Sequence, residues 1–204
     1  MRTLLPLFAL LVAAPGLTAE DRKDETKLDL FPLALGTKWE YVITVNGENK
    51  ELLQEIIKVA PGKKGERDIV TVESKVAGQT ITEEVSADEK AVYRHSMQGM
   101  KLDKPLPFIR YPFTAGGQWK SAIKIVTDDG TSEADAAFDA GKPEEVKVAA
   151  GKYTAYPIIL EMEVAGKKVI SKNWYADGVG IVKQDVDLAG TKVKMELKKF
   201  TKAK

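Results

Sequence analysis

Cysteine is absent from the 204 residues of this sequence. Disulfide bonds and thiolate metal ligands are therefore excluded, and packing must stabilise the fold. The single histidine, His95, excludes the multi-histidine sites typical of zinc enzymes. An excess of either charge is also missing, because Arg2 is the only charged residue before Glu20 and the chain from there on carries no net formal charge. Without a concentrated basic face, we expect no nucleic-acid partner.

The N-terminus has the layout of a secretory signal peptide. One basic residue precedes the largely apolar residues 4–12, small residues follow, and residues 20–25 are all charged. This order predicts a signal peptide over residues 1–19, with cleavage after Gly16 as the alternative, and then a charged N-terminal tail over residues 20–29. The apolar run is shorter than the roughly 20 residues that span a bilayer. Since no cysteine follows it, we expect an exported protein, periplasmic or extracellular, with no stable membrane span and no lipid anchor.

Apolar and polar side chains alternate with period two along nearly every ordered stretch. Residues 39–45 and 193–198 are examples, and short glycine-containing breaks such as residues 46–48 separate these stretches. The alternation is typical of antiparallel strands with one wet face, and the breaks are typical of hairpin turns. Residues 51–59 fit a helix or a strand, and their neighbours favour the strand. The lysine-rich final strand carries the charges that protect a sheet edge. We therefore predict an all-β, antiparallel fold.

An internal repeat organises these strands. Residues 31–39 and 111–119 share the pattern aromatic-Pro-x-x-x-Gly-x-x-Trp, and two later pairs of segments match in the same order. The repeat predicts a single β domain over residues 30–204, built from two similar units that cover residues 30–98 and 110–200.

The shared core of two such units limits the architecture. Two β units of this size form a closed or half-open barrel or a two-sheet sandwich, and we predict the half-open barrel or the sandwich. Between the units, residues 98–107 contain two prolines and no alternation, which predicts a loop.

Two further motifs resemble those of a widespread group of secreted bacterial β-domain proteins of unknown function. In that group the aromatic-Pro opening is followed by Val-x-Val-Pro-Ala-Gly-x-aromatic and by Trp-Tyr-Ala-Pro-Gly-Val-Gly-hydrophobic-Val-Lys. Residues 146–153 match the first motif with Ala149 in place of proline, and residues 174–183 match the second with Asp177 in place of proline. The resemblance implies an all-β, half-barrel-like envelope protein and carries no established activity or catalytic residue.

The sequence contains no recognisable catalytic apparatus. His95 stands alone at the end of an expected strand, and a Gly-x-Ser-x-Gly nucleophile motif is missing. Residues 128–133 carry oxygen ligands beside a glycine but lack the acidic spacing of an EF-hand. Residues 178–180 lack the third glycine and the helix of a dinucleotide-binding loop. No carboxylate pair for glycosidase chemistry can be selected among the 30 acidic residues. We expect no catalytic residue, no metal site and no cofactor.

Aromatic residues are the one class that marks a candidate ligand site. Trp39, Trp119 and Trp174 are the only tryptophans, and the first two occupy equivalent repeat positions. In one interpretation each of them opens a strand and fills the core. In the other, they line an apolar groove between the two units together with Tyr175. The side chains of Trp174 and Tyr175 point to opposite sides of one strand, and we predict that Trp174 faces inward.

Two functions are compatible with these features. The first is an exported, non-enzymatic envelope or periplasmic protein that binds a lipid-like apolar ligand or an envelope protein partner. The second is a carboxylate-dependent hydrolase that acts on envelope glycans or esters. The missing catalytic motifs favour the first function.

Export makes a prediction about processing. Protein recovered from the periplasm is expected to lack residues 1–19, or residues 1–16 with the alternative cut, because a signal peptidase removes the leader. Mass spectrometry of the intact protein checks this prediction. A mass equal to the full-length 22.4 kDa would contradict it.

Overall fold

The computed structural model describes residues 28–97, 99–127, 130–164 and 166–203, and the expected signal peptide lies outside them. The described chain consists of strands, turns and irregular segments, with no helix. The strands are β1 (Lys38–Val45), β2 (Glu48–Ala60), β3 (Ile69–Val76), β4 (Gln79–Ala87), β5 (Ala91–Met97), β6 (Met100–Arg110), β7 (Gln118–Thr127), β8 (Gly130–Ala140), β9 (Glu144–Val148), β10 (Gly151–Val164), β11 (Lys167–Ala176), β12 (Gly180–Leu188) and β13 (Thr191–Thr201).

Period-two alternation explains why these segments are strands. In β13, Met195 and Leu197 are buried while Lys194 and Lys198 are exposed, so one face packs inward and the other meets solvent. The ambiguous residues 51–59 belong to β2. Every strand pairing is antiparallel, and the prediction of an all-β, antiparallel fold is confirmed.

The strands form a closed wall. Consecutive strands pair from β1 to β8, β8 pairs with β10, β10 with β11, and β11 to β13 lead back to β1. The result is a closed barrel of twelve strands with one additional strand. The additional strand is β9, which follows β8 after residues 141–143 and pairs with the first part of β10.

The predicted half-open barrel or two-sheet sandwich is therefore wrong. β10 pairs with β11 along most of its length, and β1 pairs with β13 from end to end. These two ladders remove the free edges that an open barrel or a sandwich leaves. Alternation along one strand shows which face is buried, but it does not show which strands pair across the barrel.

The lysine-rich strand β13 is not an edge strand, contrary to the prediction, because it lies between β12 and β1. Its lysines point outward from the barrel wall. Lys198 forms an ion pair with Glu51 on β2, two strands away, and Lys199 forms one with Glu40 on the adjacent strand β1. Exposed pairs of this kind contribute little to stability, so these lysines mainly keep the outer face of the wall hydrated.

Residues 98–107, predicted to form a loop, largely belong to β6. The two prolines are tolerated because the pairing of β6 is interrupted on both sides. Its ladder to β5 shifts register between Arg94 and Ser96, and its ladder to β7 is limited to two residue pairs. Proline has no N–H and is therefore found where a ladder is broken. The missing alternation reflects this irregular pairing.

Residues 28–37 close one end of the barrel, and we call them the plug. Leu30 is completely buried, and its N–H donates to the Tyr111 hydroxyl at 3.2 Å. The carbonyl of Asp29 accepts the N–H of Gly178 at 2.8 Å. The Phe31 ring stacks on Trp39 with 6.0 Å between the ring centres. The short turns between β1 and β2 and between β3 and β4 lie at the opposite end, which we call the hairpin end.

The two tryptophans of the predicted repeat occupy similar places. Trp39 is the second residue of β1, Trp119 is the second residue of β7, and both are buried. Each follows an irregular segment that begins with its aromatic-Pro pair. The duplication of the two units stays a prediction.

The plug allows a direct test of its packing. Replacing the completely buried Leu30 with alanine is expected to lower the free energy of unfolding by about 2–5 kcal/mol, because a cavity replaces its side chain. Leu35 lies in the same segment but is 60% exposed, and Leu35→Ala is expected to stay within about 0.5 kcal/mol of the parent. Urea unfolding measures both values. Equally small losses would show that the plug does not pack on the core.

Candidate functional site

Polar side chains interrupt the apolar interior of the barrel on four strands. They are Glu83 on β4, Arg94 on β5, Ser171 and Asn173 on β11, and Gln184 on β12. Ser171 and Asn173 are buried, and register pairing places Gln184 opposite Asn173. A closed barrel gives such groups no bulk water to bind, so their partners must lie inside the wall.

A small cavity lies beside these polar groups. Its volume is about 40 Å³, which is room for a few water molecules. Arg94, Ser171, Asn173 and Gln184 line it together with five further residues, which are Phe108, Phe138, Ile158, Leu160 and Tyr175. The cavity therefore has one polar wall and one apolar, partly aromatic wall.

Arg94 is the least satisfied of these polar groups. Its Nε lies 3.5 Å from a carboxylate oxygen of Glu83, which is too long for a good hydrogen bond. This Nε is buried and has no hydrogen-bond partner. Its guanidinium carbon lies 4.9 Å from the centre of the Phe108 ring, a cation–π contact. An unmade hydrogen bond at a buried donor costs about 1–3 kcal/mol, and more for a charged group. The Nε of this arginine thus has Glu83 as an ion-pair partner but no good hydrogen bond from the protein.

Tyr175 is the one predicted site residue that lines the cavity. Burial raises the pKa of its hydroxyl, the nearby charge of Arg94 acts in the opposite direction, and the charge of Glu83 raises the pKa further. The hydroxyl is therefore neutral at physiological pH and available as a hydrogen-bond donor.

Three amide and hydroxyl side chains form a connected network at the polar wall. The Nε2 of Gln184 donates to Asn173 Oδ1 at 2.6 Å and to Ser171 Oγ at 3.3 Å. The Nδ2 of Asn173 donates to the same Ser171 oxygen at 3.1 Å. Because the three side chains hold one another, this part of the wall is fixed before any ligand arrives.

Trp39 and Trp119 are both buried, but neither of them lines the cavity. Each makes its own hydrogen bond in a different part of the barrel. The indole N–H of Trp39 donates to the carbonyl of Val179 at 2.5 Å, at the plugged end. The indole N–H of Trp119 donates to the carbonyl of Pro107 at 2.8 Å. The Trp119 ring stacks on the cavity residue Phe138 with 5.0 Å between centres, so Trp119 lies directly behind the cavity wall.

Trp174 faces the outside of the barrel, so the prediction that it faces inward is wrong. Its indole N–H donates to a carboxylate oxygen of Glu144 on β9. The ammonium groups of Lys172 and Lys183 lie 4.3 Å and 4.9 Å from the centre of its ring. Tyr175 lines the interior, and neighbouring side chains of a strand point to opposite faces. The four predicted site residues are therefore not gathered at one place, and their role in binding stays a prediction.

His95 lies beside Arg67 of the β2–β3 loop and contacts Ser86, with 2.8 Å between Nε2 and Oγ. The residue Ser86 has no exposed surface, so this oxygen cannot reach a substrate, and the pair lacks the accessible nucleophile of acyl-transfer enzymes. Burial lowers the pKa of His95, the charge of Arg67 lowers it further, and the charge of Glu84 opposes both. The imidazole is neutral at pH 7 and serves the packing of this region.

Sequence reasoning misses Arg94, Asn173 and Gln184. The signal that identifies Arg94 is its phase in the strand, because it stands two residues after the buried Val92 and residues so spaced share a face. Asn173 has the same relation to Tyr175. A polar residue on the apolar face of a strand is the pattern that finds both.

Metal binding and membrane crossing by helices receive no support within the described ranges. Among those residues, no group of three or more His, Asp or Glu side chains is placed to hold a metal ion. Residues 128 and 129, which belong to the calcium-like turn of the sequence, lie outside the described residues. Within the described chain, no helix has the length and apolar character to cross a membrane.

No family model matches this sequence, and no curated protein matches it. Solved structures do match in fold. A protein from Parabacteroides distasonis ATCC 8503, provisionally described as a lipoprotein, is 14% identical, with 85% of this chain and 99% of that chain covered and a TM-score of 0.58. A protein from Bacteroides fragilis NCTC 9343, provisionally described as exported and of YmcC-like fold, is 14% identical, with coverages of 84% and 98% and a TM-score of 0.60. The hypothetical lipoprotein YmcC of Escherichia coli (K12) is 12% identical, with coverages of 84% and 88% and a TM-score of 0.44.

The matches from Parabacteroides distasonis and Bacteroides fragilis show a shared fold, and the first of them corrects one prediction. The expectation of a protein without a lipid anchor is contradicted, because a matching structure is described, provisionally, as a lipoprotein. That expectation was based only on the absence of cysteine from the sequence. The coarser statement is supported: the chain has the fold of exported bacterial proteins of unknown function.

The lowered pKa of His95 predicts how stability depends on pH. The unfolded chain takes up a proton near the ordinary histidine pKa of about 6.5, whereas the folded chain resists it to lower pH. Protonation therefore favours the unfolded state, and the free energy of unfolding is expected to fall as the pH drops below that value.

Urea unfolding at about pH 7.5 and about pH 5.5 measures this loss, and His95→Gln is expected to remove most of it because no other histidine titrates in this range. The same loss in the parent and in the variant would contradict the assignment.

Proposed function

We propose that this protein is an exported envelope protein that binds a slender amphiphilic molecule inside its barrel and does not convert it chemically. The observation that carries the proposal is the buried Nε of Arg94, which has no hydrogen-bond partner and lies beside a cavity with an apolar wall. A cationic donor next to apolar side chains suits a ligand with a polar head and an apolar chain.

The apolar part of the ligand packs against four side chains on three strands. Phe108 lies on β6, Phe138 on β8, and Ile158 and Leu160 on β10. All four are buried in the present arrangement. Contact with them gives the non-directional attraction that an acyl chain needs, without selecting its length.

The polar head of the ligand is a hydrogen-bond acceptor, and a carboxylate fits best. Arg94 offers a planar fork of N–H groups that matches a carboxylate, and the neutral Tyr175 hydroxyl adds a donor on the same cavity. Glu83 holds the guanidinium in place at 3.5 Å without a good hydrogen bond. In this proposal a ligand carboxylate adds to this arrangement on the guanidinium N–H groups that Glu83 does not face.

The size of the cavity sets a condition on binding. A volume of about 40 Å³ holds a few water molecules and no acyl chain, so part of the wall must move when the ligand enters. Trp119, which stacks on Phe138, takes part in binding in this proposal. Trp39 and Trp174 hold the plug and β9 against the barrel instead.

Chemical conversion is not part of the proposal. None of the described residues that line the cavity is an acid, whereas glycoside hydrolysis needs two carboxyl groups across the bond that is cleaved. Glu83 stands beside the cavity with Arg94 as its partner, and Ser86 is sealed from solvent.

The first test asks whether the protein carries or accepts a ligand. Native protein is purified, extracted with organic solvent and analysed by mass spectrometry, and the delipidated protein is titrated with hexadecanoic acid, its methyl ester and hexadecanol. We expect an extracted amphiphile and tighter binding of the acid than of the other two probes. An empty extract together with no binding of any probe would overturn the proposal, and so would hydrolysis of the methyl ester by the protein.

Arg94→Gln tests the head-group assignment. Loss of the guanidinium, whose Nε is buried, is expected to weaken binding of hexadecanoic acid by at least about tenfold and to leave binding of hexadecanol nearly unchanged. Arg67→Gln is the matched control, because Arg67 pairs with Asp88 in an ion pair outside the cavity. Equal affinities of the parent and Arg94→Gln for the acid would show that this arginine does not bind the head group.

A further inference from the structure

The wall between β6 and β7 is held differently from the rest of the barrel. Among the described residues, these two strands pair at Lys101↔Val126 and Leu102↔Ile125 alone, close to the hairpin end. From these pairs towards the plugged end, the backbone ladder stops, although both strands continue. We call this stretch, residues 103–110 of β6 and 118–124 of β7, the seam.

Side chains bridge the seam where the ladder is missing. A carboxylate oxygen of Asp103 accepts the backbone N–H of Lys124 at 2.7 Å. The carbonyl of Pro107 accepts the indole N–H of Trp119 at 2.8 Å. Each of these bonds can open by a change of one side-chain rotamer, whereas a strand ladder opens only when the backbone moves. The seam is therefore the part of the wall that separates most easily.

The seam adjoins the cavity of the proposed ligand site. Pro107 directly precedes the cavity residue Phe108 on β6. Across the seam, the Trp119 ring lies parallel to the cavity residue Phe138, with 5.0 Å between centres and 8° between planes. Movement of Trp119 away from Pro107 thus opens the barrel between the two phenylalanines, where the apolar wall of the cavity begins.

A groove leads to the seam from outside. It has a volume of about 660 Å³ and is lined on both strands, by Asp103 and Lys104 of β6 and by Ala122 and Lys124 of β7. The core residue Ile123 also contributes to its lining. Its lining also includes Glu133, Asp135 and Glu163, and Lys124 forms an ion pair with Glu133, so the groove offers space for an apolar chain but no surplus of positive charge for an anionic head.

We propose that the ligand enters the barrel sideways through this seam, and that Asp103 and Trp119 are the two latches that close it. This inference rests on the proposed function for the nature of the ligand. It explains how a cavity of about 40 Å³ can accept a molecule with an acyl chain. Strand β6 borders the seam and also carries the cavity residue Phe108, so opening of the seam enlarges the cavity. The plug seals one barrel end, so entry at the hairpin end is the competing route.

Hydrogen exchange tests the seam without any ligand. Under native conditions, those backbone amides of residues 118–124 that point towards β6 are expected to exchange at least about tenfold faster than the amides of the fully paired strand β8, since opening of the seam does not require global unfolding. The amides of β7 that point towards β8 belong to a complete ladder and are the internal reference. Asp103→Ala combined with Trp119→Phe removes both latches and is expected to accelerate exchange in the seam alone. Protection of the seam equal to that of β8, in both the parent and the double variant, would overturn the proposal.

A reversible cross-link tests entry. The natural absence of cysteine allows a disulfide to be placed across the seam with Asp103→Cys and Lys124→Cys, two residues that already touch. The rate of cis-parinaric acid uptake, followed by its fluorescence, is expected to fall at least about tenfold on oxidation and to recover on reduction, because the locked wall cannot open. The reduced form of the same protein shows that the variant folds.

Glu73→Cys with Thr82→Cys is the matched control, because these residues are register partners in the fully paired strands β3 and β4. Its oxidation is expected to leave uptake unchanged. Equal uptake by the oxidised and reduced seam variants would place entry elsewhere and overturn the proposal. If no protein binds cis-parinaric acid, the proposed function fails on that result, and hydrogen exchange still decides whether the seam opens.

Discussion

The ladder between β1 and β13 closes the barrel, and the chemistry of the interior depends on this closure. A closed wall removes free edges, and it also separates the inward side chains from bulk water. Every polar group on the inner face must then find its partner inside. Ser171, Asn173 and Gln184 satisfy one another, whereas the Nε of Arg94 finds no acceptor at hydrogen-bond distance. In the proposed function, a ligand supplies the hydrogen-bond acceptor that the closed barrel does not provide for this arginine.

The wall has full backbone ladders at most places and few backbone pairs at one place, and this difference fits the ligand binding that we propose. Full ladders along most of the circumference hold the amide network and the apolar side chains in fixed positions, which lowers the entropy that a ligand loses on binding. Where β6 meets β7, two prolines and a register shift leave only two backbone pairs. An enclosed site needs such a place, because a wall of uniform strength would bind tightly but would exchange its ligand slowly.

The sequence predicts the strands well because period-two alternation is a local property, as the buried Met195 and Leu197 among the lysines of β13 show. Closure of the barrel depends on contacts between strands that are far apart in the sequence. The sequence of β13 is typical of an edge strand, and only its pairing with both β12 and β1 shows that it is not one. The prolines of β6 obscure a real strand for the same reason, since the interrupted ladder that tolerates them belongs to its neighbours. At the candidate site, the aromatic motif is enough to predict Tyr175 as a site residue. Arg94 requires the phase of its strand, and the orientation of Trp174 requires knowing which of two adjacent residues faces the cavity.

The pairing of Lys38 with Thr201 gives the strand order the topology of a ring. All other ladders join strands that are close along the chain. The pairing of β1 with β13 has the largest sequence separation, and contacts of this kind slow folding. The entropic cost of that pairing grows only with the logarithm of the chain length between them. A ring also has no required starting point. A circular permutant that opens at the Asn46–Gly47 turn and joins β13 to β1 through a linker would keep the same neighbours for every strand.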